Sequence, residues 1–327
     1  MAVHLRARDG AIAVPPVGLG CWSWGDDKRV WGWNSYDKSL SPQSVAAAFE
    51  AAVDAGVRLF DTAETYGSGL SEEILGKLVS KHPLRDELLV ATKWQPGKWA
   101  PTGMPVKDAM LAAARESLGR LGIDQLTLFQ IRAPLHPASM KDQGEGLAAV
   151  VEAGLARAVG VSNFSAEQVR EVHAALSARG IPLATNQVEF SILRQLPRTN
   201  QSGLMAACAE LGVTLLAYSP LAMGRLTGKY TPRNPPQGRR GFSAYPMRDI
   251  QTVLEVLEEV AAEHGCTPSQ AALAWCVAHG AVPIPGAKNA AQARENAGAL
   301  ALVLAPSAVA RLDRAGRNGG TSRWQHG

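Results

Sequence analysis

The 327-residue sequence predicts an α/β fold, a (β/α)8 TIM barrel with an N-terminal β-hairpin and a long loop after the seventh strand. Two observations carry that reading. Short apolar runs rich in β-branched residues alternate with longer Ala-, Leu- and Glu-rich segments of helical period, and eight such strand-then-helix units follow one another. No interdomain linker divides them, so residues 1–327 read as one domain, a length at which α/β barrels still form a single unit.

The elements follow in chain order. Residues 5–14 read as two short strands about an Asp9-Gly10 turn, a hairpin suited to capping the bottom of the barrel. Barrel strands are expected near 16–20, 57–61, 88–92, 126–131, 157–161, 184–188, 213–217 and 281–284. Helical patterns occupy 41–55, with Pro42 at the first helical position, then 106–121, 166–179, 204–212, 249–264 and 268–279. A doubly wound Rossmann fold is the competing arrangement. Gly18-Leu19-Gly20 runs into Cys21-Trp22-Ser23-Trp24 and not into a helix start, so the dinucleotide fingerprint fails. Residues 230–246, too rich in Pro and Gly for regular structure, form a candidate lid after the seventh strand.

Composition excludes several classes. With 46% apolar and 19% charged residues the chain is neither disordered nor collagenous, and four cysteines without C-x-x-C spacing make no disulfide framework. The 33 basic and 29 acidic residues are spread without a long block of one sign, which gives no reason to invoke nucleic acid but suits a small anionic ligand. No signal-like run opens the sequence and no apolar stretch reaches membrane-spanning length, so a cytoplasmic protein with no membrane partner is expected. No His/Cys cluster has metal-ligand spacing, and no metal is expected.

Reacting groups of a (β/α)8 barrel lie just past the C-terminal ends of its strands. Those positions hold Trp22, Asp61 with Tyr66, Lys93, Arg132, Ser162 with Asn163, Gln187, Tyr218 with Ser219, and Gly286 to Lys288. A phenol is a poor acid near neutral pH, with an ordinary pKa of about 10, and a buried ammonium held by a carboxylate stabilises the phenolate it leaves behind. Asp61, Lys93 and Tyr66 suit that relay. They suit equally a structural ion pair at a barrel mouth with a tyrosine packed beside it.

The segments Gly18-Leu-Gly-Cys-Trp22, Phe60-Asp-Thr-Ala-Glu-Thr-Tyr-Gly67, Thr92-Lys93, Gly160-Val-Ser-Asn-Phe164, Asn186-Gln187, Ala217-Tyr-Ser-Pro-Leu221 and Ile284-Pro-Gly-Ala-Lys288, in this order, resemble the aldo-keto reductase superfamily. The resemblance spans about residues 12–316 and leans to plant and cyanobacterial-type members. It implies NADPH-dependent reduction of a small-molecule aldehyde or ketone, with Tyr66 as general acid and Asp61 and Lys93 tuning it. It further implies that Ser162, Asn163 and Gln187 hold the nicotinamide carboxamide and that Tyr218 stacks on the ring. Ser219, Leu221, Gly224 and Leu226 would line the pyrophosphate path. Gly286, Lys288, Gln292, Glu295 and Asn296 would hold the adenosine end, where a lysine at a helix start suits a 2′-phosphate. Gln292 stands where the family often has arginine. Trp22 and Trp94, beside motif residues, are expected to line the substrate pocket, with Trp24, Trp31 and Trp33 as further loop aromatics.

One position departs from the pattern. Where most members carry histidine after the fourth strand, this chain reads Gln130-Ile131-Arg132-Ala133-Pro134. Arginine is permanently charged and planar, with five donors. Arg132 therefore serves either as a stronger oxyanion donor, as the partner of a substrate anion, or, turned away, as the mark of a site adapted to another task. His136, four residues further on, is a second-rank substitute for the missing histidine. Two alternatives accompany the departure: reduction of an activated C=C bond or other cofactor-assisted chemistry, and an NADPH-binding regulatory protein.

Overall fold

The computed structural model describes residues 2–25, 40–96, 103–199, 201–236 and 245–317. Strands β1 (Val3–Ala7) and β2 (Gly10–Val14) form an antiparallel hairpin. Its register pairs Ala7 with Gly10, so the two-residue turn is Arg8-Asp9 and not the expected Asp9-Gly10. Gly10 instead enters the strand at φ 123°, a backbone that only glycine adopts without strain.

Eight parallel strands follow: β3 (Leu19–Gly20), β4 (Leu59–Asp61), β5 (Leu89–Trp94), β6 (Leu126–Ile131), β7 (Ala156–Ser162), β8 (Leu183–Glu189), β9 (Thr214–Tyr218) and β10 (Ala281–Pro283). They pair in sequence order. A parallel bridge between Gly20 and Gly286, with Gly18 N–H to Pro283 O at 2.9 Å and Gly20 N–H to Pro285 O at 3.0 Å, joins last to first. The barrel expected from the sequence is thus present, its first strand reduced to two residues.

Helices lie between the strands and after the last of them: α1 (Pro42–Asp54), α2 (Leu70–Val79), α3 (Val106–Leu121), α4 (Met140–Glu152), α5 (Ala166–Ser177), α6 (Leu204–Leu211), α7 (Gln251–Glu263), α8 (Pro268–Ala278), α9 (Ala290–Ala297) and α10 (Pro306–Ala315). Several starts are written in local chemistry. Ser41, Ser165 and Thr267 each accept from the third residue of their helix, whose side chain answers the cap's own N–H. Among the described residues no helix is long and apolar enough to cross a membrane.

Alternation along each strand divides the apolar residues into two layers. Phe60, Val90, Trp94, Phe129, Val159, Val161 and Leu215 point outward and pack with the helices. Leu59, Ala91, Leu128, Ala158, Ala184, Leu216 and Val282 point inward, where Leu5, Ile12 and Val14 of the hairpin plug the lower barrel. Removing a plug side chain such as Leu5, which is fully buried, costs about 2–5 kcal/mol by leaving a cavity. With the lower barrel filled, polar inward residues of the upper barrel face the opposite end, where the cavity lies. Of the candidate lid, residues 237–244 lie outside the described residues, as do Trp31 and Trp33.

Candidate active site

Asp61 ends β4 and Lys93 is the fifth residue of β5, both facing inward and both almost wholly buried. Burial of two charges is tolerable only when every donor and acceptor is met. Here each is. Lys93 Nζ donates to Asp61 Oδ1, to Thr62 O at 2.9 Å and to Tyr66 Oη at 3.4 Å, which uses all three ammonium protons. Asp61 Oδ2 accepts from Gln187 Nε2 at 2.9 Å and from Gln130 Nε2 at 3.4 Å. Burial alone pulls the lysine's pKa down, but the Asp61 charge, Tyr66 and their hydrogen bonds outweigh it and leave it above the ordinary value. The ammonium at the tyrosine hydroxyl therefore stays charged.

Tyr66 opens a tight turn, Tyr66–Gly69, whose placement is set by two glycines. A β-carbon on Gly67 would lie 2.0 Å from Gly25 O, and one on Gly25 would lie 2.6 Å from Tyr66 O. This close approach presses the tyrosine loop against the turn Trp22–Gly25 that follows β3. Behind the loop, Thr62 Oγ1 donates to Ser71 Oγ, which donates to Cys21 O, both at 2.9 Å.

Arg132 follows β6 with the inward parity of Gln130. Its Nη1 donates to Gln95 Oε1 at 2.8 Å, its backbone O accepts from Asn163 Nδ2 at 3.1 Å, and its Cζ stands 5.7 Å from the Tyr66 ring centre. Gln95 is itself fixed, its N–H donating to Glu64 Oε1 at 2.6 Å. Burial raises the Glu64 carboxyl to about 7, against the opposing pull of the Gln95 N–H.

Asp61, Tyr66, Lys93, Gln95 and Arg132 line one cavity of about 600 Å³ at the C-terminal end of the barrel. Its walls also carry Trp22, Ser162, Asn163, Gln187, Tyr218, Ser219, Leu221, Gly224, Gly286, Lys288, Gln292, Glu295 and Asn296. Tyr218 Oη donates to Asn163 Oδ1 at 3.0 Å, and Asn163 Nδ2 also donates to Ser162 Oγ at 3.1 Å. Asn163 and Ser219 take positive φ, 63° and 49°, strained conformations for side-chain-bearing residues that concentrate where a site fixes its shape. At the far end Gln292 Oε1 accepts from Lys288 N–H at 3.0 Å, and Asn296 Nδ2 donates to Gly286 O at 3.3 Å.

Three expected residues stand apart from the cavity. Trp94 is buried in the layer between barrel and helices, its ring 5.7 Å from that of His136, because it follows the inward Lys93 and alternation turns it outward. His136 is held in that contact and is not part of the cavity wall; its Nδ1 accepts from Ala138 N–H at 3.0 Å. Leu226 is fully buried in the same outer apolar layer and its side chain is not part of the cavity wall.

Four further residues belong with the site. Gln95 and Gln130 share the inward parity of Lys93 and Arg132, a signal present in the sequence. Glu189, at the end of β8, lines the cavity with Gln187. Ser269 carries no sequence signal: it sits in the first turn of α8, is 1% exposed and lines the cavity, and its buried Oγ has no hydrogen-bond partner. That orphaned hydroxyl, together with amide and hydroxyl groups at one end and a lysine at a helix start at the other, fits a long polar ligand such as a dinucleotide. Among the described residues, no group of three or more His, Cys, Asp or Glu is placed to hold a metal ion.

A sequence model of the Aldo/keto reductase family matches residues 16–317. The chain is 36% identical to the chloroplastic pyridoxal reductase of Arabidopsis thaliana, over 98% of this chain and 88% of that protein. It is 31% identical to an aldo-keto reductase of Schizosaccharomyces pombe whose name specifies NADP(+), over 94% of this chain and 89% of that one. In structure it is similar to an aldo/keto reductase of Klebsiella pneumoniae in complex with NADP and acetate, with a TM-score of 0.74, 26% identity and 98% of both chains covered.

Proposed function

We propose that this chain, which belongs to the aldo/keto reductase family, reduces an aldehyde or ketone to the alcohol with NADPH as reductant and Tyr66 as proton donor. The family makes it an oxidoreductase, and relatives that bind or are named for NADP support the cofactor. The observation that carries the catalytic reading is the line Asp61–Lys93–Tyr66 at the floor of the cavity.

When bound, NADPH supplies the hydride that adds to the carbonyl carbon. As the C=O π pair moves onto oxygen, Tyr66 Oη delivers its proton there, and the Lys93 ammonium stabilises the phenolate that remains. Asp61 keeps that ammonium charged and aimed, and the two glutamine amides hold Asp61. Arg132 adds positive potential beside the oxygen in place of the family's usual histidine. Ser162, Asn163, Gln187 and Tyr218 would hold the nicotinamide end. Ser219, Leu221 and Gly224 would flank the pyrophosphate, and Gly286, Lys288, Gln292, Glu295 and Asn296 the adenosine end, with Ser269 as an added hydroxyl. Trp22 at the mouth supports an aromatic substrate, and the relative named for pyridoxal, an aromatic aldehyde, points the same way. A cytoplasmic location and a small-molecule partner complete the reading.

The test is NADPH absorbance followed with a reactive aromatic aldehyde, wild type beside Arg132→His. Rapid oxidation by wild type supports carbonyl reduction with Arg132 in place. A silent wild type with an active histidine variant would move the reading to C=C reduction or cofactor sensing.

A further inference from the structure

We infer that Arg132, held by Gln95, is a seat for an anionic oxygen on the substrate itself, so that preferred substrates carry an oxyanion close to the carbonyl, as in an ortho-phenolate aldehyde or an α-keto carboxylate. This deepens the reductase reading and rests on it.

The charges at the cavity floor are matched unevenly. Lys93 is matched by Asp61, and both Asp61 oxygens are already taken by Lys93, Gln187 and Gln130. Arg132 has no such match. Among the described residues it makes no ion pair, and its guanidinium partner is the neutral amide oxygen of Gln95 at 2.8 Å. The other carboxylates of the cavity, Glu189 and Glu295, sit on β8 and α9, and neither forms an ion pair with it among the described residues. A guanidinium that lines a cavity with its charge uncompensated, and with most of its five donors uncommitted, is the group best suited to bidentate capture of an oxyanion.

Position decides what that oxyanion belongs to. Lys93 hydrogen-bonds to the Tyr66 hydroxyl at 3.4 Å, whereas Arg132 lies over the face of the tyrosine ring, 5.7 Å from its centre, without a hydrogen bond to that hydroxyl. The two cations therefore serve different points. The carbonyl oxygen goes to the hydroxyl, and the guanidinium awaits a second oxygen on the side of the ring face. A substrate with an oxyanion on the adjacent ring or chain carbon presents those two oxygens together.

The seat is also built in advance. The Arg132 backbone is tied by its N–H to Trp94 O at 2.9 Å and by its carbonyl to Asn163, while Gln95 is tied to Glu64. Holding the guanidinium before binding lowers the ordering cost paid on capture. Ala133 and Leu135 continue the wall beside it, and Leu135, 47% exposed, offers an apolar edge at the mouth for a ring.

Matched substrates read this directly. A nitrosalicylaldehyde, ionised at neutral pH, is compared with its O-methyl ether, and phenylglyoxylate with its methyl ester, in wild type, Arg132→Lys and Arg132→Met. Wild type is expected to favour at least one anion over its methylated twin by about tenfold or more in kcat/KM, mainly through KM, and the better arm tells phenolate from carboxylate. Arg132→Met should bring that ratio near one, with Arg132→Lys between. A wild-type ratio near one in both arms, or a ratio that Arg132→Met leaves intact, overturns the inference. If no carbonyl is reduced at all, the reductase reading fails. The seat is then judged by the absorbance shift of the nitrophenolate on binding, which must be present in wild type and lost in Arg132→Met, or the seat falls too.

Discussion

Gly67 and Gly25 touch so closely that a single methyl group cannot be placed between them: a β-carbon on Gly67 would lie 2.0 Å from the Gly25 carbonyl oxygen. Gly67 also takes φ 60°, in the left-handed region. Gly67→Ala must therefore push the Tyr66 loop away from the turn Trp22–Gly25. Strain and misplacement together should cost about 1–3 kcal/mol of stability and at least about tenfold in kcat, because small displacements of a catalytic group are expensive. Steady-state kinetics beside a fluorescence titration of NADPH checks it. The expected pattern is a fall in kcat with dinucleotide affinity within about threefold, and equal losses in both would show that the whole site had collapsed.

Tyr66→Phe removes only the hydroxyl that Lys93 addresses at 3.4 Å. Turnover should fall by about 10²–10⁴, the usual contribution of a positioned acid, with NADPH affinity close to normal. Single-turnover measurements separate the two. A phenylalanine variant as fast as wild type would refute the acid assignment.

Lys288 lines the cavity just ahead of α9, where the helix start adds free N–H groups. A 2′-phosphate would meet both. Lys288→Ala should raise the Kd for NADPH by about tenfold or more while leaving NADH within about twofold, as measured by parallel titrations of the two cofactors. Equal weakening would show that the lysine acts on shared parts of the dinucleotide.

Glu64 predicts a pH dependence of stability. Burial raises its carboxyl from 4.5 to about 7, so the folded chain holds this proton over a range where the unfolded chain has released it. Its stabilising effect is complete below about pH 4.5 and is lost as pH rises through about 7, with no further change above. A shift of that size corresponds to about 3 kcal/mol. Denaturant unfolding at pH 5 and pH 8 should show wild type losing stability across this interval and Glu64→Gln losing less by about that amount. Parallel pH profiles for the two proteins would contradict the assignment.

Much of this molecule is legible without coordinates. Helix starts at Ser41, Ser165 and Thr267 follow from a cap residue and a polar side chain three positions on, chemistry confined to one turn. The pairing of Lys93 with Asp61 follows from polar residues at adjacent strand ends in a barrel whose open face is known in advance. Strict use of alternation would also have turned Trp94 away from the pocket and drawn in Gln95.

What the sequence by itself determined is the order of eight strand-then-helix units and the ring of polar residues at their ends, because hydrophobic period and capping are local properties. Tertiary structure alone decided which of those residues meet. In β8 the pairing register shifts between Leu183 and Thr185, so Ala184 and Thr185 both face the interior and Gln187, which uniform alternation from Ala184 would turn outward, reaches Asp61. Ser269 enters the cavity only because α8 packs beside the barrel mouth, and Arg132 finds Gln95 past the end of the neighbouring strand. Such meetings depend on how distant segments are brought into register, and no stretch of the chain read singly contains that information.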